Sequence, residues 1–315
     1  MPRLPRALAI TIAAVCLAAT VAAAQEAIPL AFKYAPGDTL EYDVTITGSG
    51  GLRAPDGQSS PAGLQGNLRL SMVVGEVQSD GNARIQLRIP RADLQVRVAQ
   101  DRARLAFENG KVRWFTNGRE QSPPDADLSQ VPLLGVPLEF IAAPNGRVVD
   151  VIMPNIPNMP QIQQMIPGLG TPQMQNMGEP IFPDGPVKVG ETWRRSDQLT
   201  PLGPTLPITV TSSRTLDSVT DEAGIKLARI SGYAESRFRS NPVSVSPGGA
   251  DAGMTVGIPD LRQTVTSTEF FDLGAGRLVR GDYDFSFMTR VSLGMQGQNQ
   301  EAGIEARFHA TVQAR

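Results

Sequence analysis

Apolar and polar residues alternate with a period of two along most of this chain. From Thr39 to Thr47, Leu40, Tyr42, Val44 and Ile46 fall on one side and Glu41, Asp43, Thr45 and Thr47 on the other. Successive side chains of an extended chain point to opposite faces, so this is the pattern of an antiparallel strand with one buried face. Leu68, Leu70, Met72 and Val74 repeat it. After Asp80-Gly81, Ala83, Ile85, Leu87 and Ile89 repeat it again, followed by Leu94, Val96 and Val98. Further on, Ile225, Leu227 and Ile230 share one strand. Tyr283, Phe285, Phe287, Thr289, Val291 and Leu293 make a long one, and Phe308, Ala310 and Val312 close the chain. Asn109-Gly110, Asn117-Gly118 and Asn145-Gly146 each lie between two such runs. Asn-Gly accepts the positive φ that tight hairpins require, so each marks a turn. The pattern predicts an all-β fold.

The alternation fails in four places. Gly48–Gly66, Asn241–Pro259 and Gly294–Gly303 are built from Gly, Ser, Pro and Gln and read as long hairpin loops. Met153–Pro180 is different: rich in Pro, Met, Gln and Asn, with Glu179 its only charge. Within it, Ile156, Met159, Ile162, Ile166 and Leu169 have helical spacing, with Asn158 as a candidate N-cap and Pro160 near the first turn. A short amphipathic helix around Met159–Ile166 is expected.

The two flanks of that connector echo each other. Glu139–Val149 and Glu269–Val279 are identical at 5 of 11 positions at a constant offset of 130. Gly37-Asp38-Thr39-Leu40 echoes Gly190-Glu191-Thr192-Trp193, and the hairpin Val77–Ile89 echoes Val219–Ile230. Three echoes in one order predict an internal duplication: two related antiparallel sheet units, residues 25–152 and 181–315, joined by the connector 153–180 with one short helix.

Residues 1–24 have the form of a secretory signal. Arg3 and Arg6 precede an apolar run from Ala7 to Ala23, and Ala22-Ala23-Ala24 offers small residues for cleavage. The alternatives are a retained anchor and lipidation at Cys16, which Val15 and the apolar residues after it disfavour. The expected location is periplasmic or extracellular. Without Arg3 and Arg6, 27 basic residues face 31 acidic ones. That leaves a net charge near −4 and no basic surplus for nucleic acid. Cys16 is the only cysteine, so the mature chain has no disulfide and depends on apolar burial.

This composition also limits the chemistry. His309 is the only histidine and falls on the polar side of the last strand, with no nucleophile signature beside it. Paired carboxylates would serve a glycosidase, but 2 Trp and 4 Tyr leave little aromatic surface for sugars. Five of the 10 methionines lie between Met153 and Met177. Thioethers are soft ligands for monovalent copper, but there is no His or Cys to support them. No cofactor and no metal is expected, and the chain reads as non-catalytic. An outer-membrane barrel would show aromatic girdles, which 5% aromatic residues do not supply. An uncharged, Met-bearing helix beside a curved sheet suits a hydrophobic groove. The candidate contacts are therefore Ile156, Met159, Ile162, Met165 and Ile166, holding a lipid or other apolar small molecule. The alternative is a structural or protein-interaction module, with an envelope protein as partner and the helix sealing the sheet core.

Phe182–Trp193, with Val187-Lys188-Val189-Gly190-Glu191-Thr192-Trp193 at its end, resembles a turn-and-strand motif in an uncharacterised family of exported bacterial proteins. The resemblance implies sheet halves that each open on a Val-Gly-acidic-Thr/Ser-Trp segment and close on a Phe…Gly-Arg strand pair. It implies no site residues. More distantly, a long antiparallel sheet with a covering helix is similar to the periplasmic lipoprotein-carrier half-barrels. That likeness implies acyl-chain binding on the concave face.

Overall fold

The computed structural model describes residues 26–54, 57–108, 110–121, 137–152, 181–199, 208–239, 254–295 and 298–315. The expected helix, the five candidate contact residues and the expected signal lie outside these residues. The described strands are β1 (Thr39–Arg53), β2 (Ser59–Val77), β3 (Ala83–Val98), β4 (Asp101–Glu108), β5 (Lys111–Thr116), β6 (Arg119–Gln121), β7 (Leu138–Ala142), β8 (Val148–Ile152), β9 (Thr192–Leu199), β10 (Ile208–Glu222), β11 (Ile225–Arg239), β12 (Met254–Asp272), β13 (Arg277–Met295) and β14 (Gln298–Ala314). All belong to one antiparallel sheet, in the order β6-β5-β4-β3-β2-β1-β14-β13-β12-β11-β10-β9, with β7 and β8 branching from β3. The fold is all-β. The strands before the connector and those after it meet at a seam where β1 pairs with β14, from Tyr42 opposite Ala314 to Arg53 opposite Gly303.

Local chemistry places the turns and the branch. Asn117 and Gly118 both have positive φ (50° and 78°), as a two-residue hairpin turn needs, and Ala223-Gly224 does the same without an Asn (54° and 84°). In β3 the pairing with β2 shifts between Arg88 and Arg91. Ile89 and Pro90 form the resulting bulge, where the missing proline N–H is tolerated. Below it, Ala83–Leu87 pairs with β7; above it, Arg91–Val98 pairs with β4.

Three stretches expected as loops contain strand among their described residues. Gly48–Arg53 and Ser59–Gly66 extend β1 and β2 as paired ladders, and the described parts of Asn241–Pro259 and Gly294–Gly303 extend β12, β13 and β14. Pairing is a backbone property, so a Gly- and Ser-rich segment joins a ladder when its neighbours fix the register. The glycines also make room: a Cβ on Gly48 would overlap the Phe308 ring, and one on Gly66 would overlap Leu94.

Residues 28–34 hold the sheet in a curl. Phe32 N donates to Pro144 O (2.7 Å) in the β7–β8 turn, and Lys33 N donates to Gly276 O (3.0 Å) in the β12–β13 turn. Five strand steps separate β7 from β13 in the sheet order. Flat, that is about 24 Å at about 4.8 Å per step. Neighbouring residues reach both turns only because the sheet bends round. Phe182 N → Asn145 O (2.8 Å) and Asn145 Nδ2 → Asp184 Oδ1 (2.9 Å) add a second tie.

At this closed end lie two apolar clusters. One contains Val74, Ala83, Ile85, Leu138, Phe140, Ala142, Val148 and Val151, with Tyr34 against it. The other contains Leu30, Phe182, Val187, Leu216, Ala228, Ile230 and Phe271, with Phe32 against it. Phe32 lies 5.4 Å from the Phe182 ring and 5.2 Å from Phe271, edge-on to the latter. The strap thus packs on the sheet face that bears both clusters, and that face is the concave one.

Candidate functional site

The concave face above the closed end is the candidate site, and the register assigns its residues. One row runs Trp193–Arg214–Gly232–Ser267–Tyr283–Ala310–Ile46–Gly66–Leu94–Leu105–Trp114 across β9 to β5. The row above it runs Arg195–Ser212–Ala234–Val265–Phe285–Phe308–Gly48–Leu64–Val96–Ala103, and the next Asp197–Val210–Ser236–Gln263–Phe287–Ala306–Gly50–Ala62–Val98.

These rows divide the face in two. From β13 through β14 and β1 to β3 every position in them is apolar; beyond β3 Leu105, Trp114 and Ala103 continue it, while Thr116 stands opposite Ala103 and Asp101 opposite Val98. Ile46, Leu64, Leu94, Leu105, Phe285, Phe287 and Phe308 are only half-buried among the described residues, and Val96 is 42% exposed. From β9 to β12 the same rows carry Arg195, Asp197, Ser212, Arg214, Ser236, Gln263 and Ser267, with Glu269 directly below. Arg195 Nε lies 2.6 Å from Asp197 Oδ2, the two side chains about a third exposed. Arg214 Nε lies 3.5 Å from Glu269 Oε2, and Glu269 is fully buried. Ser267 Oγ donates to Glu269 Oε1 (3.1 Å). Burial pushes the Glu269 carboxyl above the usual glutamate range, against the opposing pull of Arg214 and Ser267. A cavity of about 40 Å³, with room for about one water, lies among Arg214, Gly232, Ser267 and Tyr283.

This polar stretch occupies a backbone frame that the apolar stretch also uses. Gly37 N donates to Val74 O and Val74 N to Asp38 O; Gly190 N donates to Leu216 O and Leu216 N to Glu191 O. Both glycines have φ near 86° (87° and 86°), which only glycine adopts freely. Val74 then faces Ile85, which faces Phe140; Leu216 faces Ile230, which faces Glu269. One row up, Met72, Leu87 and Leu138 stand where Arg214, Gly232 and Ser267 stand. The echo of Glu139 and Glu269 is therefore misleading. Glu139 lies opposite Gln86 on the convex side, where it accepts from Arg84 and Gln86. The β7–β8 turn is one residue shorter than the β12–β13 turn, since Ala142 faces Val148 whereas Phe271 faces Leu278. A one-residue slip moves a side chain to the other face.

The convex face carries the remaining charge as exposed pairs. Arg104 with Asp93, Arg113 with Glu120 and Arg290 with Asp260 are hydrogen-bonded across neighbouring strands. His309 Nδ1 lies 2.9 Å from Asp284 Oδ1, the side chains 48% and 71% exposed, which is a hydrated surface pair. A polar depression of about 820 Å³ is bordered by Asn67, Asp93, Gln95, Arg104 and Phe115.

The polar residues of the concave face escape sequence reading because they look like ordinary solvent-side positions. A signal was nevertheless present: Thr264–Glu269 and Thr209–Arg214 carry polar residues in both phases, so neither face of those strands could be wholly apolar.

No family model and no curated protein matches the chain. Among solved structures it is similar to lipovitellin, studied for its lipid–protein interactions, at 13% identity and a TM-score of 0.46; the match covers 90% of this chain and 25% of that one. It is also similar to the OccK7 (OpdD) structure of Pseudomonas aeruginosa, at 7% identity, TM-score 0.23, and 89% and 99% coverage. An outer membrane channel of Pseudomonas putida F1 matches at 8% identity, TM-score 0.20, and 92% and 100% coverage. The chain thus spans about a quarter of the lipovitellin chain.

Proposed function

We propose that this is an exported, non-catalytic protein of the bacterial envelope that holds an apolar ligand, such as a lipid acyl chain, against the concave face of its sheet. One observation carries the reading: from β13 round to β3 the concave rows are apolar without interruption, and Leu105 and Trp114 continue the lowest one, yet their large side chains are only half-buried among the described residues. Contiguous half-buried apolar surface of this kind marks a binding site. Holding requires shape and burial rather than nucleophiles. In this reading the two stretches 25–152 and 181–315 are copies of one unit, and their shared turn-and-ladder frame supports that. The other reading, a structural or protein-interaction module without a small-molecule ligand, draws on the dense packing of the two closed-end clusters.

Titration of the mature protein with a fluorescent fatty-acid analogue tests the proposal. Saturable binding is expected, weakened at least about tenfold by Leu94→Asp or Leu105→Asp, since a buried charge in the groove opposes apolar contact. Absence of saturable binding, or binding indifferent to both substitutions, would favour the structural module.

A further inference from the structure

The polar part of the concave face is not needed to hold an acyl chain. Nor does it help the fold: a buried ion pair is often no better than apolar residues of similar volume, and the first frame fills the same places with Met72, Leu87, Leu138 and Phe140. Its chemistry is specific. Arg195 and Asp197 sit on the edge strand β9, and Arg214 lies on β10 beside them, so the two ion pairs are neighbours on one surface. Ser212 lies between, and Ser236 and Gln263 stand one row further up. Arg195 and Asp197 present a guanidinium next to a carboxylate, about a third exposed, and Arg214 stands beside them with its partner Glu269 fully buried beneath it. The adjoining strands β13, β14 and β1 to β3 continue the same rows with apolar side chains, extended by Leu105 and Trp114 on β4 and β5.

Resting on the proposed function, we infer that the ligand is an amphipathic lipid with a zwitterionic phosphate–amine headgroup, its head at Arg195, Asp197 and Arg214 and its tails along β13 to β5. A phosphate suits the guanidinium fork, which gives parallel charge-assisted hydrogen bonds. The amine suits the carboxylate beside it. A singly charged head would leave one member of the Arg195–Asp197 pair opposed by a like charge. A head without charge would leave the pairs desolvated against apolar atoms, which is unfavourable.

The test compares dioleoyl phosphatidylethanolamine, dioleoyl phosphatidylglycerol, dioleoylglycerol and oleate, each delivered from detergent micelles to the full mature protein and quantified after gel filtration. Phosphatidylethanolamine is expected to bind at least about tenfold more tightly than phosphatidylglycerol or dioleoylglycerol, by analogy with the discrimination a lost buried polar contact gives. The double variant Arg195→Gln/Asp197→Asn should lose that preference, binding the three glycerolipids within about twofold of one another. Asp197→Asn alone leaves Arg195 without its carboxylate and should turn the preference toward phosphatidylglycerol. Equal binding of all three glycerolipids, or an unchanged preference in both variants, overturns the headgroup assignment while leaving the groove intact. Failure of every lipid, oleate included, overturns the acyl-chain reading itself.

Discussion

The two frames at the closed end have the same glycine turn and the same ladder contacts, yet one is filled with Phe140 and the other with Glu269. Around Phe140 the neighbours are apolar and the cluster is sealed. Around Glu269 an arginine, a serine and a glycine replace Met72, Leu138 and Leu87, and a cavity of about 40 Å³ remains. The backbone frame therefore does not dictate the filling. Apolar burial alone suffices for the fold, as the first frame shows, and the ion pair in the second needs a different reason. A headgroup site supplies one.

The comparison can be broken from either side. Phe140→Ala should destabilise by about 3–5 kcal/mol, as large core truncations do, with the loss independent of pH. Arg214→Met should cost a similar amount at neutral pH, about 3–5 kcal/mol, because it leaves a fully buried carboxylate without its cation. Its pH dependence separates the two. The folded Glu269 carboxyl already titrates above its ordinary value of 4.5, and removing Arg214 raises it further. An acid with a raised folded pKa destabilises only when ionised. The loss should therefore vanish well below 4.5 and grow as pH rises through the folded value. Arg214→Met/Glu269→Met, which gives the second frame the character of the first, should be neutral or up to about 4 kcal/mol more stable than the parent. Urea denaturation at pH 4 and pH 7 measures all four proteins.

Smaller effects sharpen the picture. Phe32→Ala should lower stability by about 2–3 kcal/mol, less than a fully buried Phe, by loosening the strap on the second cluster. Hydrogen exchange should then rise first in the turns at Pro144 and Gly276. Trp193→Phe removes the indole donation to Ile181 O (3.0 Å) and should cost about 1 kcal/mol. Arg290→Gln, in an exposed pair with Asp260, should change stability by less than about 1 kcal/mol in the same denaturation assay.

How much of this was legible from residue pattern differs by region. Tyr42, Val44, Ile85 and Tyr283 sit on the buried face as their alternation foretold, because a half-buried strand leaves a period-two trace. The Asn-Gly turn at Asn117 was equally plain, since its positive φ values favour those residues. The upper strands were not legible. Gly48, Gly50 and Gly66 read as loop because glycine carries no phase, although here glycine is what lets Phe308 and Leu94 lie close to the backbone. The site was missed for a related reason. Arg214 and Glu269 are in phase with the buried Leu216 and Phe271, but as charged residues they read as solvent-side positions, because period-two reading assigns polar residues to the exposed face. The contact residues expected in the connector fall outside the described residues, so the candidate site now stands on the sheet alone.

Native mass spectrometry of the mature protein, purified from its own cellular compartment without detergent, tests the central claim most directly. The expected result is a population carrying a mass of several hundred daltons that dissociates as a lipid and is depleted in Leu94→Asp and Leu105→Asp. A protein found only at its polypeptide mass, and unable to take up added lipid, would contradict it.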